Sequence, residues 1–304
     1  MKTPADVVED SAVYLHIYFG GMVFNLVYNM GAAILRAVGD SKRPLYVLII
    51  TCVLNIILDL LFVVAFGMGV TGVAVATVTS QVISALIVTV MLLKTREIYV
   101  LKINQIRFDR RMLFSVLRIG IPAGLESVMY NISNIVIQVF VNNLGTDTVA
   151  AWGTLGKIDA IFWMVINAFA ISITTFVGQN LGAKQYDRAK KGAKFGILCS
   201  IFIAELIGIT IYTAAPVLIA AFNRDPDVIH YGVMQARTIA LFYCLLAFTH
   251  CIAAVLRGSG NAAVPMIVLL CVWCLFRVSY ITLAVRLIPD IRVIFWACLL
   301  YTSP

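Results

Sequence analysis

A few polar side chains stand where a lipid bilayer would have to solvate them. Asp59 lies inside the apolar run LYVLIITCVLNIILDLLFVVAF, and Asn55 stands one helical turn before it, on the same helix face. After a glycine-rich turn, Phe66 to Gly72, the small-residue segment GVAVATVTSQ carries Thr77. A charge at mid-bilayer costs about 2.5–3.5 kcal/mol on insertion scales, so it faces a cavity or a partner. At about 1.5 Å of rise per residue, Asp59 and Thr77 fall at similar depths, roughly 8–10 Å from the outer ends of their helices. An amide, a carboxylate and a hydroxyl so placed are hard oxygen donors, suited to a proton or to Na⁺. The alternative is a structural role for Asp59, as an acceptor between helices.

A second set lies further along. Ser127, Asn131, Asn134 and Gln138 are spaced by 4, 3 and 4, with Glu126 and Tyr130 beside them. That spacing makes a polar stripe on one helix. Such a stripe faces a wet cavity or a neighbouring helix, and both remain open. Asp159, Trp163 and Asn167 recur every four residues in the next apolar run; Trp163 fits a cavity wall or an interfacial aromatic belt. Met22, Met30, Met129 and Met164 suit an adaptable apolar pocket, or ordinary packing. Glu205 lies at mid-run, with Arg277 among its possible partners. His16, His230 and His250 are scattered and read as packing residues. Cys271 and Cys274 form a CxxC inside an apolar run, which reads as small packing residues rather than a metal or redox pair.

The elements that must position these groups are membrane helices. Apolar residues make up 62% of the chain and charged residues 12%, against about a quarter charged in a soluble domain. A spanning helix needs roughly 20 mostly apolar residues. Runs of that kind fall near 11–37, 45–66, 72–93, 114–144, 157–181, 195–222, 230–256 and 264–286, with a partial run from Arg292 to Pro304. No alternating strand pattern appears, so helices are the spanning elements. The net charge of +8 sits in short loops between spans, which argues against nucleic acid as a partner. The loops after the odd-numbered spans hold 16 Lys and Arg, and the N-terminal tail and the other loops hold 5. The positive-inside rule makes the first set cytoplasmic. Residues 1–10 are polar and acidic, unlike a cleavable signal peptide.

The chain is also internally duplicated. AAILRAVGDSKRP at Ala32 to Pro44 returns as AAVLRGSGNAAVP at Ala253 to Pro265, an offset of 221 residues that pairs Arg36 with Arg257, Gly39 with Gly260 and Pro44 with Pro265. Six spans separate the copies, which gives a parallel repeat. Asp59 falls opposite Tyr280, so one copy carries a carboxylate that the other lacks. The second copy of the turn is preceded by three spans of its unit and the first by one. Three N-terminal spans, on the order of 110 residues, are therefore expected to be missing, and the C-terminal run is too short to span.

LRAVGDSKRP with LRGSGNAAVP, NIILDLLF followed by GMGVTGVAVATVTSQ, RIGIPAGLESVMYNISN, and VGQNLGAKQYDRAKKG together resemble the multidrug and toxic compound extrusion (MATE) family. The resemblance covers nearly the whole chain in family order. It implies an all-α polytopic membrane protein, a two-lobe transporter with a parallel internal repeat, here with eight full spans plus one partial of an expected twelve. Residues 1–93 would be the C-terminal half of the N-lobe, 94–113 a cytoplasmic interlobe linker, and 114–304 the C-lobe. It further implies an ion-coupled antiporter, driven by H⁺ or Na⁺, that exports cationic or amphiphilic organic compounds by alternating access. The resemblance to its prokaryotic DinF-like branch places a cation-coupling site at Asp59, Asn55 and Thr77. Substrate-cavity candidates are Glu126, Tyr130, Asn131, Asn134, Gln138, Trp163 and Met30. No nucleotide loop, nucleophile elbow or metal-ligand cluster appears, so neither enzymatic activity nor a cofactor is expected. The expected setting is the bacterial inner (plasma) membrane, as a monomer whose partners are lipid and small organic substrates. The rivals are a lipid-linked oligosaccharide flippase of the same superfamily and a non-transporting membrane scaffold subunit.

Overall fold

The computed structural model describes residues 5–97, 99–142, 146–276, 279, 280 and 282. The described residues are helical or in turns, with no strand among them. They divide into two compact units, residues 1–108 and 109–304. Among the described residues, six helices are long and apolar enough to cross a membrane without interruption, from Val8–Ala37 to Tyr186–Ala220. Large apolar side chains point outward from them: Val64 is 75% exposed and Val217 74%. Apolar surface on this scale belongs against lipid, not water.

Unit 1 contains α1 (Ala5–Ala37), α2 (Lys42–Asp59), a π-helical continuation of α2 (Leu60–Ala65), and α3 (Gly69–Lys94). Lipid supplies no hydrophobic drive between helices, so close backbone approach has to hold them. Gly31 provides it on α1: a methyl group there would fall 2.2 Å from Val88 Cγ1 on α3. Leu35, Val47, Val88 and Leu92 form the small core, with Tyr99 and Leu101 packed on it from the following loop. Asp109 then caps α4, accepting from the N–H groups of Arg111 (2.8 Å) and Met112 (3.1 Å).

Unit 2 contains α4 (Arg110–Asn142), α5 (Thr146–Gly182), α6 (Tyr186–Ala220), α7 (Pro226–Ala240), α8 (Tyr243–Gly258) and α9 (Ala263–Leu269), which continues as a π-helical turn to Phe276. Its main core runs through α5, α6, α7 and α8, around Phe162, Ile166, Ile219 and Tyr243. The Phe162 and Tyr243 rings stack 4.0 Å apart.

The duplicated turn has one backbone geometry in both copies. The N–H groups of Gly39 and Asp40 donate to the carbonyls of Arg36 and Leu35, each at 2.9 Å. Those of Gly260 and Asn261 donate to Arg257 and Leu256, each at 3.0 Å. Both glycines are left-handed, with φ of 88° and 86°. This double bond with a left-handed glycine closes a helix and satisfies two carbonyls, which explains why glycine sits at both positions.

The seventh expected span differs from its sequence reading. It is not one helix over 230–256 but α7 and α8, bent by 53°. The break falls at Leu241 and Phe242, with neither proline nor glycine there. It lies beside a close approach of α6, where a Cβ on Gly208 would sit 2.4 Å from the Ala240 carbonyl oxygen. Asp225 caps α7 through the Asp227 N–H at 2.9 Å, and Pro226 fills its first position. Arg277, the Cys274 side chain, most of the eighth run beyond Phe276, and the run 292–304 lie outside the described residues.

The Gly208 contact is with backbone, so no rotamer change relieves it. Gly208→Ala is expected to cost about 1–3 kcal/mol by overpacking, read as a lower melting temperature of the purified protein. Gly20→Ala, with nothing within 4 Å of its Cβ position, is expected to leave melting unchanged or raise it slightly. Equal melting of the two variants would dismiss the close approach.

Candidate functional site

In unit 1 the polar groups gather at the end of α2. Asp59 is its last α-helical residue, and the ladder then widens into π geometry, with the Phe66 N–H reaching back to the Leu61 carbonyl at 3.0 Å. Such π turns recur at functional sites. Asp59 Oδ1 and Asn55 Nδ2 are both buried and have no hydrogen-bond partner among the described residues. Thr77 on α3 donates to the Val73 carbonyl of its own helix at 2.9 Å, which leaves its oxygen lone pairs as acceptors. No hydrogen bond joins Asn55, Asp59 and Thr77 to one another among the described residues. Gln81, one turn beyond Thr77 on α3, also keeps a buried, unbonded oxygen, Oε1. Sequence reading passed over Gln81, although its spacing of four from Thr77 was visible.

Buried polar atoms without partners are rare and call for an explanation such as an ion or water. Here the donor set is oxygen-rich, with one carboxylate. It fits a proton or a small monovalent cation taken up as cargo.

In unit 2 three helices turn polar faces toward two cavities. The first, about 440 Å³, is lined by Glu126, Ser127, Met129 and Tyr130 of α4, Trp163 and Asn167 of α5, His250 of α8 and Met266 of α9. The second, about 330 Å³, is lined by Tyr130, Asn134 and Gln138 of α4, Trp152, Asp159 and Trp163 of α5, Gln235 of α7 and Tyr243 of α8. Tyr130 and Trp163 belong to both walls.

Each polar face has a periodic cause. Asp159, Trp163 and Asn167 recur every four residues on α5. Tyr243, His250 and Arg257 recur every seven on α8, two helical turns apart and therefore on one face. The two faces meet. The Tyr243 hydroxyl donates to Asp159 Oδ1. His250 Nε2 and Asn167 Oδ1 lie 3.3 Å apart, and the Trp163 ring stands edge-on to His250 at 5.6 Å. At the end of the α8 row, Arg257 Nη1 donates to Glu126 Oε1 at 3.0 Å and Oε2 at 3.3 Å. Both side chains are largely buried, 19% and 15% exposed.

The sequence candidates are thus distributed unevenly. Glu126, Tyr130, Asn134, Gln138 and Trp163 line cavities. Asn131 lies outside both walls, exposed, with its amide donating to the Ser127 carbonyl at 2.8 Å. Met30, 68% exposed, is on the surface of unit 1. Met129 lines the first cavity, whereas Met22 and Met164 are exposed, at 41% and 73%. Glu205 keeps a buried, unbonded Oε2 among the described residues. The α8 row was missed as a unit: His250 was read as packing and Arg257 as a loop cation. The seven-residue spacing was the available signal.

A family model described as MatE matches residues 1–61 and 122–282. The chain is 29% identical over 277 residues to the probable multidrug resistance protein YoeA of Bacillus subtilis (strain 168), covering 88% of this chain and 59% of that protein. It is 28% identical over 268 residues to the probable multidrug resistance protein NorM of Thermotoga maritima, covering 86% and 57%. The chain therefore spans just under three-fifths of the length of these relatives. The fold matches a solved structure, a MATE protein in the bent conformation, with a TM-score of 0.91 over 99% of this chain and 67% of that one, at 22% identity.

The Glu126–Arg257 pair has a measurable signature. Removing one partner of a buried pair strands the other charge and costs about 3–5 kcal/mol. Glu126→Gln is expected to lower the melting temperature strongly, and Glu126→Gln with Arg257→Gln to recover most of the loss. Additive losses in this double-mutant cycle would mean that the two charges are not coupled.

Proposed function

The chain belongs to the MatE family, that of the multidrug and toxic compound extrusion transporters, and on that premise we propose that it works as an ion-coupled antiporter exporting cationic or amphiphilic organic compounds. It is a multi-pass membrane protein of the bacterial plasma membrane, and members of its family are transporters, not enzymes. In the proposal residues 1–93 form the second half of an N-lobe, 94–113 the interlobe linker and 114–304 a C-lobe. Eight full spans and part of a ninth belong to a twelve-span whole that works as a monomer.

The observation that carries the coupling proposal is the pair of buried, unbonded atoms Asp59 Oδ1 and Asn55 Nδ2, one turn apart at a π-helical break. Binding of H⁺ or Na⁺ satisfies Asp59, and Asn55, Thr77 and Gln81 lie on the two helices that flank it. An ion that binds one arrangement of the lobes better shifts the population toward it, and this differential affinity drives export. Charge counts against the flippase: no lysine or arginine is among the described residues lining the two cavities that Tyr130 and Trp163 share, where a pyrophosphate-linked substrate would require them.

Ethidium efflux from energised cells tests the proposal. Asp59→Asn keeps size and hydrogen bonding but removes the charge, and is expected to reduce efflux to background at equal membrane abundance. Asn55→Ala is expected to lower it severalfold. Efflux unchanged by Asp59→Asn overturns coupling at this site, and no efflux above background from the unsubstituted protein at good membrane abundance favours the flippase or the scaffold.

A further inference from the structure

Unit 2 holds two cavity-lining carboxylates in different electrostatic states. Glu126 is neutralised by Arg257, which donates to both of its oxygens. Asp159 accepts a hydrogen bond from the Tyr243 hydroxyl, and among the described residues it has no Lys, Arg or His within ion-pairing distance. A hydroxyl orients a carboxylate without cancelling its charge. The Glu126 side of the shared wall is therefore balanced, whereas an ionised Asp159 has no described cation beside it and in a membrane calls for a positive partner.

The space beside Asp159 says which kind of partner. At about 330 Å³ the cavity is of a size with small-molecule pockets and far larger than a bare metal ion needs. No group of three or more His, Cys, Asp or Glu residues is arranged to hold a metal among the described residues. Tyr130, Trp152 and Trp163 line the same cavity, and aromatic rings attract organic cations through their faces. One uncompensated carboxylate among aromatic rings is the chemistry of an organic ammonium site.

We propose that Asp159 is the charge-selecting residue of a site in unit 2 for small monocationic organic compounds, with Tyr243 as the positioning residue that holds its carboxylate at the cavity wall. This rests on the reading that the protein carries organic cations, and it adds Asp159 to the substrate-cavity candidates. The break between α7 and α8 supports the assignment, because Tyr243 opens α8 immediately after it.

The test uses the full chain in lipid nanodiscs and two probes of nearly one shape, phenyltrimethylammonium and uncharged N,N-dimethylaniline, with binding read by equilibrium dialysis. Asp159→Asn still offers an oxygen to Tyr243. It is expected to weaken binding of the cation by about tenfold or more while changing that of the neutral probe by less than about twofold. Asp159→Glu keeps the charge and is expected to retain the preference for the cation. Tyr243→Phe is expected to weaken the cation by about threefold, less than Asp159→Asn. Equal weakening of both probes by Asp159→Asn would reduce Asp159 to a packing role and overturn the assignment. Undiminished cation binding by that variant overturns the site while leaving the transport reading intact if ethidium is still exported. Binding of neither probe by the unsubstituted chain also overturns the site, and absence of ethidium efflux then removes the transport reading as well.

Discussion

A carboxylate inside a bilayer has to be answered by a proton, a cation or a guanidinium, and the polar interior of this protein is arranged around that requirement. Three of the intramembrane carboxylates described above show how differently it is met. Glu126 takes Arg257 at 3.0 Å. Among the described residues Asp159 has only a hydroxyl, and Asp59 keeps a buried oxygen with no partner. A low dielectric magnifies these differences, so Asp59 and Asp159, with no described cation, are places where a positively charged cargo is worth more than beside Glu126. The neutralised one has a structural part, tying α4 to α8.

The scaffold that holds them follows from the solvent. Backbone groups in lipid must be bonded within their own segment, which leaves helices as the building element. With apolar side chains facing lipid on the outside, the helices are joined by close approach of small residues, Gly31 to Val88 in unit 1 and Gly208 to the Ala240 carbonyl in unit 2. The second contact lies at the break between α7 and α8. Packing, the break and the placement of Tyr243 are thus one local arrangement, in which a residue on α6 without a side chain makes room for a bent partner.

Much of this was legible in the residues. The paired turns at Gly39 and Gly260 announce themselves by the 221-residue offset, because a left-handed helix end demands glycine whatever surrounds it. The uninterrupted spans were readable from apolar length alone. The break at Leu241 and Phe242 was not, since no proline or glycine marks it and its fitting contact comes from a glycine on another helix. The partnership of Glu126 with Arg257 was hidden by 131 residues of intervening chain. Arg257 looked like one more cytoplasmic cation because its own turn places it at a helix end. Asn131 and Asn134 had equal claims to the cavity, and only the rotation of α4 separates them. Polar periodicity names a face, and neighbouring helices decide which members of that face are used.

The π turn after Asp59 has a consequence of phase. A helix that closes a wider ring there holds an extra residue, and one residue of α-helix is worth about 100° of rotation. Leu60 to Ala65 therefore act as a spacer that sets the angular frame of everything beyond them, including the glycine turn into α3, relative to Asn55 and Asp59. Exchanging one apolar side chain for another within the spacer leaves this frame intact. Losing a single residue while the wide ladder persists turns the two sides out of step, as a frameshift does to codons. In this segment length, more than composition, is what inheritance has to preserve.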